Sequence, residues 1–265
     1  MMLYTRFIAC GDSFTEGMSD EIVGRQYRGW ADRMADVMTY QSPEFTYANF
    51  AIRGKLIHQV AADQVPVALT YVTGPQTLVS FHAGGNDVLR PNYKPEVVLP
   101  LYASTVRKIA ASGATVVLFT VLEGTDRKGK TADLWAARFG EFNKNVRAVA
   151  IEVGAIVVDV NEGGLLIDRR FFAADRLHLN EIGHDRVAQE ILEKLGLPHS
   201  LSWREPLPAS APLSKSKRYR ANLTWFQTFL LPWIWRRVRG RSSGDGRSGK
   251  HSFPISWPSS SKHSE

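Results

Sequence analysis

RFIACGDSFTEG (residues 6–17) joins a short apolar run to a polar turn bearing two glycines. That junction is what a strand leaving a parallel sheet toward a ligand-facing loop looks like. The same pattern recurs downstream, in FTYANF (45–50), TLVSFH (77–82), ATVVLFTVL (114–122) and AIVVDV (155–160). Several of these runs are apolar throughout, as expected when both faces of a parallel sheet are covered. Helical patterns lie between and after them. In 132–150, Trp135, Phe139, Phe142, Val146 and Val149 step by four, three, four and three, which places them on one face. From about Asn180, a plausible N-cap, to Leu195, the residues Ile182, Val187, Ile191 and Leu195 are expected to face inward. Strand–helix alternation of this kind predicts an α/β fold with a mainly parallel sheet.

The chain has 265 residues, with 44% hydrophobic and 22% charged. This is ordinary globular composition and excludes a wholly disordered chain. The net charge of +7 is unevenly placed. Residues 1–199 carry 21 Lys and Arg against 23 Asp and Glu, whereas residues 200–265 carry 12 against 3. The body is therefore near neutral and the excess sits in the tail, which disfavours a basic nucleic-acid-binding domain. The single cysteine, Cys10, rules out an intrachain disulfide or a cysteine zinc cage, and is expected to face the core of the first strand. One cysteine fits a reducing compartment. MMLYTRFIACGDSF lacks the cationic and apolar regions of a signal peptide. The expected location is cytoplasmic, with peripheral membrane association as a variant.

Ligands of open parallel sheets bind outside the carboxyl ends of the strands, and four polar blocks follow predicted strands or close the body. They are GDS at 11–13, ANFAIRG with Asn49 and Gly54, GGND at 84–87, and DRLHLNEIGH with Asp175 and His178. Together and in this order they resemble the blocks of the SGNH (GDSL-type) hydrolases, over roughly residues 4–195. Phe14 stands where that family commonly has Leu or Ile, a change that leaves the reacting atoms untouched. The resemblance implies a three-layer α/β/α sandwich and hydrolysis of esters through an acyl-enzyme, without a metal or organic cofactor. The hydrolase domain is expected over 1–199, and the change of composition and charge after it marks 200–265 as a basic, aromatic-containing, partly disordered extension. The substrate would be a small-molecule or lipid ester.

The residue chemistry agrees with that expectation. A serine hydroxyl needs a base within hydrogen-bond reach. Imidazole, which titrates near pH ~6.5, can be that base at neutral pH. The roles expected are Ser13 as nucleophile, His178 as base and then acid, and Asp175 as the acceptor that fixes the imidazole tautomer. The N–H groups of Ser13 and Gly54 and the side-chain amide of Asn86 would hold the oxyanion. Each block also has a bland reading: GDS as a helix cap, GGND as a tight turn, D-x-x-H as a surface loop. Asp12 and Asp87 are expected to bond nearby backbone amides. His58, His82 and His184 have no forced role, and a His178/His184 metal pair lacks a carboxylate at ligand spacing. The loop 18–30, with Arg25, Tyr27 and Trp30, is expected to help line the pocket.

Two rivals exist. GTDRKGKT (124–131) matches G-x-x-x-x-G-K-[ST] and lies between a predicted strand and helix, so a nucleotide-binding protein is an alternative, with AIVVD (155–159) as its acidic strand. Its Asp126, Arg127 and Lys128 are bulky for close backbone approach to phosphate. The α/β-hydrolase fold also runs Ser…Asp…His but needs a G-x-S-x-G elbow, which Gly11-Asp12-Ser13-Phe14-Thr15 lacks.

In the extension, 200–223 reads as a linker and about 240–265 as disordered. Between them Trp225, Phe226, Phe229, Leu230, Trp233 and Ile234 would share one helix face, interrupted by Pro232 and followed by arginines. One reading packs these aromatics on the body. The other makes 221–241 an interfacial segment beside anionic lipid, with a non-catalytic membrane scaffold as its limiting case. Nucleic acid ranks last, and oligomeric state is not legible.

Overall fold

The computed structural model describes residues 3–123, 129–211 and 214–258. Its centre is a six-stranded sheet in the order β7-β6-β5-β1-β4-β8. The strands are β1 (Arg6–Gly11), β4 (Thr46–Asn49), β5 (Thr77–His82), β6 (Thr115–Phe119), β7 (Ile156–Val158) and β8 (His251–Ser256). All neighbours pair in parallel except β8, which runs antiparallel to β4. A two-stranded hairpin, β2 (Ile22–Val23) and β3 (Gln26–Tyr27), stands apart. The helices are α1 (Ser13–Glu16), α2 (Gly29–Met38), α3 (Ile57–Gln59), α4 (Val65–Leu69), α5 (Gly85–Val88), α6 (Pro95–Ala111), α7 (Lys130–Val153), α8 (Glu181–Lys194), α9 (Lys215–Trp225) and α10 (Leu231–Val238).

Strand alternation divides the core into two layers. On one side Phe7 and Ala9 of β1 pack with Trp30, Met34 and Met38 of α2 and Val187 and Ile191 of α8. On the other, Ile8 and Cys10 pack with Tyr102 and Ile109 of α6 and Phe142 and Val146 of α7. The result is the expected three-layer α/β/α sandwich. Cys10 lies fully buried in the second layer, where burial pushes its thiol up to about 12. Strand β1 lies between β4 and β5, so the strand order reverses at β1. The loops leaving β1, β4 and β5 therefore open onto one crevice, where such sheets place their ligands.

Several expectations need correction. Ile182 is half exposed in the first turn of α8, and the inward face is instead Val187, Ala188, Ile191 and Leu192. Trp30 does not line a pocket. It is fully buried between Phe7, Phe14 and Phe119, because the hairpin turns the chain inward at Gly29. The stretch 200–223 is not an open linker: Leu201–Arg204 forms a 3-10 turn and α9 begins at Lys215. Residues 251–256 are not disordered either, since they supply the edge strand of the main sheet. Lys250 fixes that return. It donates to the carbonyls of Tyr27 (2.9 Å) and Arg28 (2.7 Å) and to Asp32 Oδ2 (2.8 Å). Of GTDRKGKT, residues 124–128 lie outside the described residues, while Gly129 precedes α7 and Lys130 and Thr131 open it. Its supposed acidic partner Asp159 is taken by Arg147 Nε (2.7 Å) and Thr120 Oγ1 (2.9 Å). Burial alone would raise Asp159, yet these partners bring it down to about 2.

Candidate active site

Ser13 is the first residue of α1, directly after β1. Asp12 caps this short helix, its Oδ1 accepting from Phe14 N–H (3.1 Å), and so sets the exit angle of the serine. As a first-turn residue, Ser13 has a backbone N–H without an intrahelical acceptor. Some 165 residues later, His178 brings Nε2 to 2.9 Å from Ser13 Oγ. Its Nδ1 lies 2.6 Å from Asp175 Oδ2. The reversal that aims both side chains at one point runs through Arg176, whose φ of +60° is rare for a residue with a side chain. Asp175 Oδ1 also accepts from the N–H groups of Leu177 and His178, each at 3.0 Å. Burial would raise the Asp175 carboxyl, but His178 and these amides outweigh it and hold the group below the usual carboxylate range. It is therefore ionised at neutral pH and suited to orient an imidazole and stabilise its charged form.

The second and third blocks arrive beside this pair. Gly54 has φ +74°, a left-handed conformation, and a Cβ there would lie 2.3 Å from Ser242 Oγ. The left-handed backbone thus favours glycine, and the returning tail leaves little room for a side chain. Asn86, in α5, donates its amide to Asp12 Oδ2 (3.0 Å) and to the Lys55 carbonyl (3.1 Å). It ties the first and second blocks together, and donation to an oxyanion requires one of these bonds to be shared or released. Asn49 braces the second block from below, through Thr15 O (3.0 Å), Tyr47 OH (2.9 Å) and Ala51 N (3.1 Å). Asp87 accepts from Ile57 N–H at 2.9 Å. His184 is buried, with Nε2 3.2 Å from the Met18 carbonyl, and burial holds its imidazole below the ordinary range. His82 packs on Phe14 and His58 is exposed. Among the described residues no group of three or more His, Cys, Asp or Glu could hold a metal ion.

Sequence reasoning missed two supports. Glu16 holds Arg53, accepting from its N–H at 2.6 Å and from its guanidinium, so the first block grips the second. Complementary charges within GDSFTEG and AIRG were the available signal. Trp225, at the end of α9, donates Nε1–H to the Asp175 carbonyl at 2.7 Å, while Arg176 lies 5.1 Å over its ring. Nothing local in the sequence marks that contact. Trp225→Phe keeps an aromatic side chain and removes the hydrogen bond. Since such a bond contributes about 1 kcal/mol, kcat on a soluble ester is expected to fall ~5-fold with KM unchanged. An unchanged kcat would show that Asp175 does not depend on Trp225. Beside this contact Arg169, Arg176, Asn222, Trp225 and Phe226 line a cleft of about 450 Å³.

Residues 9–186 match the model of the GDSL-like Lipase/Acylhydrolase family. No curated protein matches the chain. Among solved structures, LAE5, an alpha/beta hydrolase enzyme from the metagenome of Lake Arreo, Spain, is 20% identical with a TM-score of 0.60, covering 74% of this chain and 98% of its own. Axe2, an acetylxylan esterase from Geobacillus stearothermophilus, is 19% identical with a TM-score of 0.57, covering 77% and 99%. The psychrotrophic esterase EstA from Pseudoalteromonas sp., in a structure inhibited by monoethylphosphonate, is 16% identical with a TM-score of 0.54, covering 72% and 97%. At these identities the likeness is one of fold.

Proposed function

The chain belongs to the GDSL-like Lipase/Acylhydrolase family and is a carboxylic ester hydrolase; from that premise we propose that it works through a covalent acyl-enzyme on Ser13. The observation that carries this reading is the continuous hydrogen-bonded line from Ser13 Oγ through the His178 ring to Asp175, at 2.9 and 2.6 Å. In the first half-reaction, Ser13 Oγ bonds to the ester carbonyl carbon as its proton passes to His178 Nε2. The carbonyl oxygen becomes an oxyanion, held by the Ser13 and Gly54 N–H groups and the Asn86 amide. Collapse breaks the bond to the leaving alcohol, which takes the proton from His178. Water then adds to the acyl carbon, giving its proton to His178. Collapse of the second oxyanion releases the acid, and the proton returns to Ser13.

The test is mass spectrometry of the full-length protein after treatment with an organophosphonate. One adduct on the peptide carrying Ser13 is the expected result. An adduct elsewhere, or none while ester turnover proceeds, would overturn Ser13 as nucleophile. A subsequent screen of acyl-chain lengths and acetylated sugars reads out the preferred ester.

A further inference from the structure

The C-terminal helical segment turns its apolar side outward. α9 and α10 are joined by a π turn, Phe226–Leu230, in which Leu231 N–H bonds to Phe226 O. This turn lets the helix run through Pro232, whose ring and missing N–H would otherwise break it. It also changes which residues share a face. The expected stripe of Trp225, Phe226, Phe229, Leu230, Trp233 and Ile234 splits in two. Trp225, Phe229, Leu230 and Trp233 are only partly exposed, while Phe226 and Ile234 are exposed. The outer set is Leu223, Phe226, Leu231, Ile234, Trp235 and Val238, with exposures from 41% at Ile234 to 75% at Val238. Their one five-residue step, from 226 to 231, spans the π turn, so the extra residue of that turn keeps all six aligned. An exposed helix of a soluble protein normally presents the opposite face.

Charge identifies what covers it. From residue 206 to 244 the sequence contains no Asp or Glu and has eight Lys and Arg. They flank the apolar stretch in sequence: Lys215, Lys217, Arg218 and Arg220 before it, Arg236 and Arg237 in its last turn, and Arg239 and Arg241 after it. A second copy of the chain laid on this face would bring two such sets of like charge together. An anionic bilayer satisfies both halves, apolar residues entering the headgroup boundary and cations meeting lipid phosphate. Trp235, with Arg239 stacked 4.3 Å over its ring, has the amphipathic character of an interfacial anchor. No described helix is long and apolar enough to cross a membrane, so the contact would be along the surface.

We propose that residues 223–238 form an interfacial helix that seats the protein on anionic lipid. The opposite side of the same segment, through Trp225, holds the Asp175 carbonyl, so a lipid-bound helix keeps the triad loop beside the bilayer. The contact is independent of the reaction chemistry.

Flotation of the full chain with vesicles tests it, using phosphatidylcholine alone and phosphatidylcholine mixed with phosphatidylglycerol. Binding is expected on the mixed vesicles only, weakening as salt is added. The double variant Ile234→Glu/Trp235→Glu should lower the bound fraction ~10-fold or more, a loss of about 1.4 kcal/mol or more. Its thermal unfolding should match the parent's, because both side chains are exposed. Equal binding to the two vesicle types, binding to neither, or unchanged binding by the double variant would each overturn the assignment. So would a dimer in sedimentation that the double variant dissolves.

Discussion

Ser13→Ala is expected to lower turnover of a short-chain aryl ester by ~10³-fold or more and to remove the phosphonate adduct altogether. The size follows from the geometry. Ser13 Oγ lies 2.9 Å from His178 Nε2, and without it that nitrogen has no hydroxyl to activate among the described residues. His178→Ala should cost about as much, because the hydroxyl then has no base. The double variant should be scarcely worse than either single one, since residues acting as a unit are non-additive. Steady-state kinetics with adduct mass spectrometry on the three variants decides the matter. Losses that multiply in the double variant would mean that Ser13 and His178 act separately, which the hydrogen-bonded arrangement forbids. What survives in the double variant should be the share due to binding and the oxyanion donors.

Lys250→Met is the second large effect, and it acts on stability. The Lys250 side chain is 5% exposed and the Asp32 side chain 10%. Burial already pushes the Asp32 carboxyl above its usual range, and the Lys250 ammonium and the Tyr47 hydroxyl offset only part of that. Methionine removes the counter-charge and leaves two backbone carbonyls without their donor. Breaking one partner of a buried pair typically costs about 3–5 kcal/mol. The sign of the pH dependence is fixed. A carboxyl whose folded pKa is raised binds its proton more tightly in the folded state. It contributes stability below its unfolded value that is lost as pH rises through the folded value. Without Lys250 the Asp32 carboxyl moves further up. The deficit of the variant should therefore be larger at pH 8 than at pH 5, read by urea unfolding. Asp32→Asn in the same chain should recover part of it. A deficit independent of pH, with no recovery, would show that the lysine acts through packing alone.

Strand positions and the blocks GDS, GGND and D-x-x-H were legible from the sequence because each depends on local pattern and on the chemistry of the residues themselves. Apolar runs covered on both faces become parallel strands, and polar residues at their exits collect at one end of the sheet. The choice of Ser13, Asp175 and His178 as candidates followed from which side chains can carry nucleophile, acceptor and base. Their meeting, across 165 residues, is a property of the fold. The rest was decided by contacts that no period records. Lys250 reaches Asp32 over 218 residues and Trp225 reaches Asp175 over 50. They convert a basic tail into an edge strand and a support for the triad. The π turn before Pro232 changed which aromatics face outward, because one added residue rotates everything after it. Local pattern thus set the elements and the candidate reacting groups, whereas long-range burial and hydrogen bonding set which of them touch.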